Sequence, residues 1–264
     1  MNSRAFYDTG DLSQAIQAAI DDVKKAPTDE SARGFLCELL CFAGEWEKAD
    51  RQLETIGHQN AKSAVGVAMF RQLIRAAQAR QQFYDAGRVP EFLVEPDDEL
   101  RLRLQASIAL REGKTADATT LLEQAESQRP AVSGECNGQA FEGFRDLDDL
   151  AAGYFEVLTS TGKYYWVPVH AVELMEFHAP VRPQDLLWRR VHMIVTGGPD
   201  GEVFLPTTYP GTSSLSDDQL RLGRATDWSG DDSSPIRGQG LRMFLAGEND
   251  LSILQLETVT FNQR

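Results

Sequence analysis

RPAVSGECNG, residues 129–138, divides the chain into two parts of different character. The part before it is rich in Ala, Leu, Gln and Arg, residue types that favour helices. In the part after it, the apolar runs are short and are separated by Gly, Pro and Ser, which is typical of strands and turns. The sequence therefore predicts an α+β protein of two domains, a helical domain at residues 1–134 and a β-rich domain at residues 135–264.

Apolar side chains recur at helical spacing through the first part. From Leu12 to Val23 they occupy positions i, i+3, i+4, i+7, i+8 and i+11, which predicts a helix over about residues 11–25. The same reasoning, with capping residues and Gly or Pro stops, predicts five more helices. These lie at about residues 29–43, 46–56, 60–84, 96–113 and 115–128.

Three glycines suggest an internal repeat in this helical part. Gly10, Gly44 and Gly113 each precede a predicted helix, and each is followed five residues later by alanine. The first two are 34 residues apart and the third is 69 residues further on, about two more periods. A 34-residue helix–turn–helix period is that of tetratricopeptide repeats, whose hairpins stack into a superhelix. We predict a tetratricopeptide-like α-helical repeat array, interrupted at residues 83–96; an irregular helical bundle is the alternative.

The second part shows paired apolar runs around turn residues. Three hairpins are predicted, at residues 154–159 with 163–169, 188–196 with 202–205, and 241–246 with 253–261. A short strand at 174–177 and a short helix ending near Leu222 accompany them. SGDDSSPIRGQG, residues 229–240, is predicted to be a long mobile loop. Three hairpins with a small helix are typical of a mostly antiparallel sheet or a partly open barrel.

The charge of the chain restricts its partners. Its 264 residues include 40 acidic and 26 basic ones, a formal net charge of −14, and such a chain repels nucleic-acid phosphates and anionic lipid. No apolar run approaches the length of a membrane-spanning helix. The three cysteines, without a secretion signal, fit a reducing cytosol. We expect a cytoplasmic protein with no nucleic-acid partner and no membrane insertion.

Motifs for common chemistries are absent from the sequence. It contains no GxxxxGK[ST] loop, no GxGxxG after a strand and no GxSxG turn. Cys37 and Cys41 share a helix face, but tetrahedral zinc needs two more ligands and only His58 is nearby. The two cysteines are therefore expected to be core residues. We predict a protein that is not an enzyme and that binds no cofactor.

One acidic cluster leaves an enzymatic alternative open. Asp146, Asp148 and Asp149 are close in sequence, and carboxylates together with imidazoles can hold a cation. The alternative is a metal-dependent hydrolase that uses these aspartates with a downstream histidine: His170, His178 or His192. No HExxH, HxH or paired-histidine spacing is present, so an acidic turn that bridges the two domains is the favoured interpretation.

Aromatic residues are concentrated in the second part and suggest a binding surface. Tyr164, Tyr165 and Trp166 are adjacent on a predicted strand, so they point to alternating faces and at least one lies on the less buried side. Exposed Tyr and Trp favour interfaces. Concave helical arrays bind peptides, and a net negative protein attracts segments that carry Lys or Arg. The alternative is a sheet covered by helices on both faces.

Six segments of the second part, in sequence order, resemble the ImpE family, also called TagJ, of type VI secretion accessory proteins. They are FRDLDDL at 144–150, YYWVP at 164–168, DLLWRR at 185–190, PTTYPG at 206–211, RATDW at 224–228 and GQGLRMFL at 238–245. In the helical part, LCELLCFAGEWEKA at 36–49 agrees with this family. The resemblance therefore spans nearly the whole chain.

The resemblance implies helical repeats followed by a β-rich domain, and a cytosolic, non-enzymatic adaptor of the contractile secretion apparatus. It implies binding to the N-terminal helix of the small sheath subunit. The resemblance also implies an indirect link, through the sheath, to the AAA+ ATPase that disassembles the sheath. No catalytic residue is carried over from the family.

The residues that carry the resemblance supply the candidate site. We predict partner contacts at aromatic and acidic side chains of these segments: Phe144, Asp146, Asp148, Trp166 and Trp188. A partner helix would insert its i, i+3, i+4 and i+7 side chains into an apolar groove beside them. The alternative is that these five residues join the two domains to each other.

Overall fold

The structure, a computed structural model, describes residues 2–262. Its first part contains seven α-helices. They are α1 (Ser3–Thr9), α2 (Leu12–Lys25), α3 (Glu30–Phe42), α4 (Trp46–Gln59), α5 (Ala64–Ala86), α6 (Asp98–Arg111) and α7 (Thr115–Gln128). The six predicted helices are confirmed, and α1 was missed because seven residues are too few to show a helical period. No helix among residues 2–262 combines the length and the apolar character that crossing a membrane requires.

Consecutive helices pack against each other as pairs. α1 contacts α2, α3 contacts α4, and α6 contacts α7. Between the members of these pairs lie Gly10, Gly44 and Gly113, with φ angles of 85°, 72° and 71°. This left-handed conformation suits glycine and ends a helix so that the chain can reverse. The glycine spacing noticed in the sequence therefore reflects repeated helix pairs, in agreement with a repeat-like helical array.

The second part, as far as residue 262, consists of strands with one short α-helix, α8 (Asp218–Arg221), and three 3-10 turns. The strands are β1 (Ser133–Cys136), β2 (Gln139–Glu142), β3 (Phe144–Asp146), β4 (Tyr154–Leu158), β5 (Tyr164–Pro168), β6 (Val172–Phe177), β7 (Trp188–Val195), β8 (Asp200–Pro206), β9 (Thr226–Asp231), β10 (Ser234–Gly240), β11 (Met243–Ala246), β12 (Asn249–Ser252) and β13 (Thr258–Phe261).

The strands form one large sheet and two small ones. The large sheet has eight strands in the order β2-β1-β13-β6-β7-β8-β4-β5, and its neighbouring strands pair antiparallel. A three-stranded sheet has the order β12-β11-β3, and β9 pairs with β10 as a hairpin. The predicted antiparallel sheet is confirmed, and it is an open sheet because β2 and β5 do not meet.

Two details of the predicted β pattern are wrong. Residues 229–240 do not form a mobile loop, because β9 and β10 pair there as a hairpin. The run at 241–246 does not pair with 253–261. Instead β11 pairs with β12 and β3, while β13 joins β1 and β6 in the large sheet. The low strand propensity of SGDDSSPIRGQG is overridden by long-range contacts described below.

The large sheet separates two hydrophobic clusters. Tyr154 and Trp166 face α3 and α5 in a cluster that also contains Leu39 and Leu73. Phe155, the next residue along β4, faces the opposite cluster with the small sheet β12-β11-β3. Helices therefore cover one face and strands cover the other, so the alternative with helices on both faces is wrong.

The change from helices to strands falls in the interval between α7 and β1, in agreement with an α+β layout of two parts. The cluster between them is nevertheless continuous across that boundary, since side chains of the helices and of β4, β5, β7 and β8 share it. Independent folding of residues 1–134 and 135–264 stays a prediction.

Candidate functional site

Glu156 of β4 is fully buried between α5 and the large sheet. Arg80 Nε and Nη2 donate to its two carboxylate oxygens at 2.9 and 2.7 Å. The hydroxyls of Tyr84 and Tyr164 donate to Oε1 at 3.0 and 2.5 Å, and Arg242 pairs with Oε2. Burial raises the pKa of Glu156, but the charges of Arg80 and Arg242 outweigh it and hold the pKa well below its usual range. An ionised carboxylate therefore holds two arginines, Arg242, which is buried, and Arg80, which is mostly buried.

Asp146 of β3 extends this network to the three-stranded sheet. Its Oδ1 accepts hydrogen bonds from the Tyr209 hydroxyl at 3.0 Å and from the backbone N–H of Asp148 at 2.8 Å. Arg242 Nη1 lies 3.3 Å from its Oδ2, so one guanidinium serves both Asp146 and Glu156. Burial raises the pKa of Asp146 to about 7, against the opposing charge of Arg242. The aspartate thereby connects β3 to the large sheet.

Asp148 and Asp149 hold the β9–β10 hairpin. Asp148 accepts hydrogen bonds from Arg237 Nε at 2.8 Å and from the backbone N–H of Gly238 at 3.0 Å. Asp149 Oδ2 accepts one from the backbone N–H of Ile236 at 2.7 Å. These bonds satisfy backbone groups of a segment with weak strand propensity, which is why residues 229–240 are ordered as strands.

The predicted aspartate–histidine cluster does not assemble. The three downstream histidines face other acids: Nε2 of His170, His178 and His192 lies 3.7, 3.1 and 3.0 Å from carboxylate oxygens of Asp97, Glu202 and Asp200, respectively. Within residues 2–262, no group of three or more His, Cys, Asp or Glu side chains is placed to hold a metal ion. The hydrolase alternative gains no support from this arrangement.

The interpretation as an acidic turn between the two parts fits these contacts. Arg103 of α6 donates through Nη1 to the carbonyl oxygen of Asp149 at 2.5 Å, and its carboxylate partner on the same helix is Glu99. Both Arg103 and Glu99 are buried. The turn is thus bound to α6 on one side and to the β9–β10 hairpin on the other.

Trp166 lies in the interface between the helices and the sheet and has no exposed surface. Its ring stacks on Tyr154 with centroids 3.7 Å apart and meets Phe83 of α5 edge-on at 4.8 Å. A second edge-on contact joins it to Phe92, at 6.5 Å. Its Nε1 donates to the Tyr164 hydroxyl at 2.6 Å, which links the aromatic contacts to the Glu156 network.

Trp188 and Phe144 are buried in the same way. Trp188 stacks near Trp46 at 6.2 Å and meets Phe70 edge-on at 5.8 Å, so it joins β7 to α4 and α5. Phe144 stacks on Phe244 at 5.5 Å within the opposite cluster. The expectation that the five predicted partner-binding residues lie on the surface is wrong, because all five are at most 3% exposed. This burial favours the alternative that they join parts of the fold, and a role in partner binding stays a prediction.

Sequence reasoning missed the polar residues at the centre of this network: Arg80, Tyr84, Glu156, Arg237 and Arg242. For two of these residues, the sequence contained a signal of buried charge. Glu156 interrupts the apolar run of YFEVL, and Arg242 stands inside GQGLRMFL. A charged residue in an otherwise apolar strand indicates a buried, paired charge.

Two clefts open along this helix–sheet interface. The first, which we call the polar cleft, has a volume of about 100 Å³ and lies between α3–α5 and residues 206–214. Trp188 and Arg80 line it, and Arg80 Nη2 also donates to the carbonyl oxygen of Thr208 at 3.0 Å. Arg80 is thus already paired within the fold, with Glu156 and with this carbonyl oxygen.

The second, which we call the apolar cleft, has a volume of about 160 Å³ and lies between residues 92–100 and the ends of β5 and β7. Trp166 and Leu100, both buried, line its interior, while Leu93 and Val94 line its exposed side. Two backbone hydrogen bonds attach the segment that carries them to β5. The N–H of Glu91 donates to the carbonyl oxygen of Tyr164, and the N–H of Trp166 donates to the carbonyl oxygen of Glu91. This cleft offers apolar surface close to the aromatic residues predicted from the sequence.

Comparisons with known proteins agree with this architecture. Residues 138–260 match the family model described as ImpE protein. Over 252 residues, 96% of this chain and 88% of the relative, the sequence is 29% identical to the type VI secretion system accessory component TagJ of Pseudomonas aeruginosa. A crystal structure of a Vibrio parahaemolyticus protein superposes with a TM-score of 0.92 at 28% identity, over 99% of this chain and 98% of that one. The β-rich part thus matches the ImpE family model, and the similarity to the TagJ accessory component extends along nearly the whole chain.

Proposed function

We propose that this protein is a non-enzymatic accessory component of a type VI secretion system that works by binding another protein of the apparatus. The observation that carries this proposal is the similarity, over 96% of the chain, to the Pseudomonas aeruginosa protein named as such an accessory component. The agreement covers both the helical part and the strands, so it concerns the whole fold and not one shared module.

The arrangement of charged groups supports a binding role. Asp146 and Asp148 are held inside the fold by arginines and backbone N–H groups, and Glu156 by arginines and tyrosine hydroxyls. A general acid or base needs to reach a substrate, and these carboxylates are at most 1% exposed. Their contacts hold α5, the large sheet and the β9–β10 hairpin together, which stabilises the surface that a partner would meet.

The partner in this proposal is the N-terminal helix of the small sheath subunit. Binding there links the protein indirectly to the AAA+ ATPase that disassembles the sheath. A protein that binds an amphipathic helix needs an apolar surface for its buried side chains. The apolar cleft offers such a surface at the helix–sheet interface. An accessory protein that is released and reused is expected to bind at about micromolar Kd, roughly −8 kcal/mol.

The test is a pull-down of the tagged full-length protein from its native cytosol, with mass spectrometry of the retained proteins. The small sheath subunit should be retained, and the ATPase only when sheath subunits are present. A fluorescent peptide of the sheath subunit's N-terminal helix should bind the pure protein, while a scrambled peptide of equal charge should not. Failure to retain the sheath subunit, together with no change in peptide anisotropy at saturating protein, would contradict the proposed partner.

A further inference from the structure

The apolar cleft combines a buried floor with an exposed apolar rim. Trp166 and Leu100 form its interior, and the backbone of Gly197 and Gly198 bounds the far side. On the rim, Leu93 is 40% and Val94 is 70% exposed. Large apolar side chains that stand together in solvent beside a cavity mark an interaction site more often than a random surface.

The size of the cleft limits what can enter it. A volume of about 160 Å³ is close to that of an apolar cavity that holds one benzene-sized group. The cleft therefore suits a single large side chain such as Leu or Phe, with Leu93 and Val94 covering the residues beside it. Complete burial of such a side chain is worth roughly 10- to 100-fold in affinity.

Acidic residues surround this apolar surface. Glu91, Glu95 and Asp97 belong to the same segment, and the Glu95 side chain is 85% exposed. Together with Asp98 they outnumber the basic side chains beside them, which are Arg101, Lys163 and His170. Such a rim attracts a segment that carries Lys or Arg. It disfavours a second copy of this chain, which would bring the same acids, and it disfavours an anionic membrane.

We propose that the apolar cleft is the docking surface for the partner of the apparatus, and that the docked segment is a helix with one large apolar anchor flanked by basic residues. This inference rests on the proposed function and adds to it the place and the chemistry of the contact. The anchor enters the cleft above Trp166, and the basic side chains lie near Glu95 and Asp97.

The test measures binding of the sheath subunit's fluorescent N-terminal peptide to full-length variants by anisotropy. Val94→Asp and Leu93→Asp place a charge on the apolar rim and should weaken binding at least 10-fold. Val65→Asp is the matched control, since Val65 is 83% exposed but belongs to the first turn of α5. It is about 27 Å along the helix from Phe83, which contacts Trp166. Circular dichroism of each variant confirms that the fold is retained.

A charge variant tests the rim separately. Glu95→Lys should weaken binding roughly 2- to 5-fold and should reduce the dependence of the Kd on salt. Peptide binding that is unchanged in the Val94 and Leu93 variants would overturn the docking surface and leave the proposed function standing. A peptide that does not bind the wild-type protein at all would overturn both. A loss of equal size in Val65→Asp would also overturn the cleft as the specific site.

Discussion

At the scale of single residues, Glu156 determines how the helices and the large sheet are joined. It is fully buried. It forms ion pairs with Arg80 and Arg242 and accepts hydrogen bonds from two tyrosine hydroxyls. A buried ion of this kind is tolerated only while its partners are complete, because each unpaired charge in the interior carries a large desolvation cost.

Glu156→Gln should destabilise the protein by about 3–5 kcal/mol, since it removes the counter-charge of Arg80 and leaves the buried Arg242 with Asp146 alone. The measurement is the urea midpoint by circular dichroism. If this variant does not fold, Tyr84→Phe offers a milder change. It removes one hydrogen bond to Glu156 and should cost about 1–2 kcal/mol.

The control for this prediction is Asp50→Asn, which breaks an ion pair with Arg71 on a partly exposed surface. Exposed pairs contribute roughly 0–1 kcal/mol, so the midpoint should move little. Equal losses in the Asp50 and Glu156 variants would show that the interior network has no special role in stability.

Glu38 of α3 makes the stability depend on pH. Burial raises the pKa of this carboxyl to about 7, with a smaller contribution from Asp185, and the backbone N–H of Gln184 donates to it at 3.3 Å. The folded state therefore holds a proton that the unfolded state releases. This contribution to stability is present below about pH 4.3 and is lost as pH rises to about 7.

Between pH 5 and pH 8, the wild-type protein should thus lose roughly 2–3 kcal/mol more stability than Glu38→Gln, which keeps the acceptor for Gln184 but does not ionise. Urea unfolding at the two pH values measures this difference. The exposed variant Glu54→Gln should follow the wild type. A pH dependence of equal size in Glu38→Gln and in the wild type would contradict the assignment.

At the scale of elements, the β9–β10 hairpin depends on its contacts with the rest of the fold. Its sequence favours a loop, yet Asp148 and Asp149 bind its backbone and side chains from a turn almost 90 residues earlier in the chain. Gly238 lies against the face of Tyr209, whose hydroxyl donates to Asp146. A hairpin that lies this close to a buried ring has no room for a side chain at this position.

Gly238→Ala should lower the free energy of unfolding by roughly 1–3 kcal/mol, because its Cβ would overlap the Tyr209 ring. Gly201→Ala in β8 is the matched control, since a Cβ there meets no atom within 4 Å. Its effect should stay within about 0.5 kcal/mol. Chemical denaturation of both variants checks the difference, and equal midpoints would show that the hairpin can move away from Tyr209 without cost.

At the scale of the whole molecule, the helical and β-rich parts share one hydrophobic cluster. Leu39 and Leu73 of the helices contact the same cluster as Tyr154, Trp166 and Trp188 of the sheet. Removing either part would expose this surface to water, and apolar burial is the main source of folding stability. The two parts differ in secondary structure but share one hydrophobic cluster.

The shared cluster predicts that both parts unfold together. Far-UV circular dichroism, dominated by the helices, and tryptophan fluorescence, dominated by three tryptophans at the interface, should give coincident denaturation curves. A helical signal that survives after the fluorescence change would contradict this prediction. It would support independent folding of residues 1–134 and 135–264.

The sequence by itself determined the features that depend on near neighbours. Apolar spacing predicted α2 to α7, since a helix repeats its buried face every three or four residues. The glycines predicted the helix pairs, and turn residues predicted the β4–β5 and β7–β8 hairpins. Each of these helix and turn signals is complete within a few tens of residues. The ordered segments of the second part, spread over residues 144–245, indicated the ImpE family, whose model matches residues 138–260.

Only the tertiary structure decided how these elements meet. The pairings of β1 with β13, of β13 with β6 and of β3 with β11 join segments that are far apart in the chain. Arg80 and Glu156 are 76 residues apart, and no local pattern relates them. The aromatic residues predicted to form a binding surface are buried for the same reason. Periodicity shows which face of an element is apolar, but burial depends on what covers that face. The covering is set by contacts between distant parts of the chain.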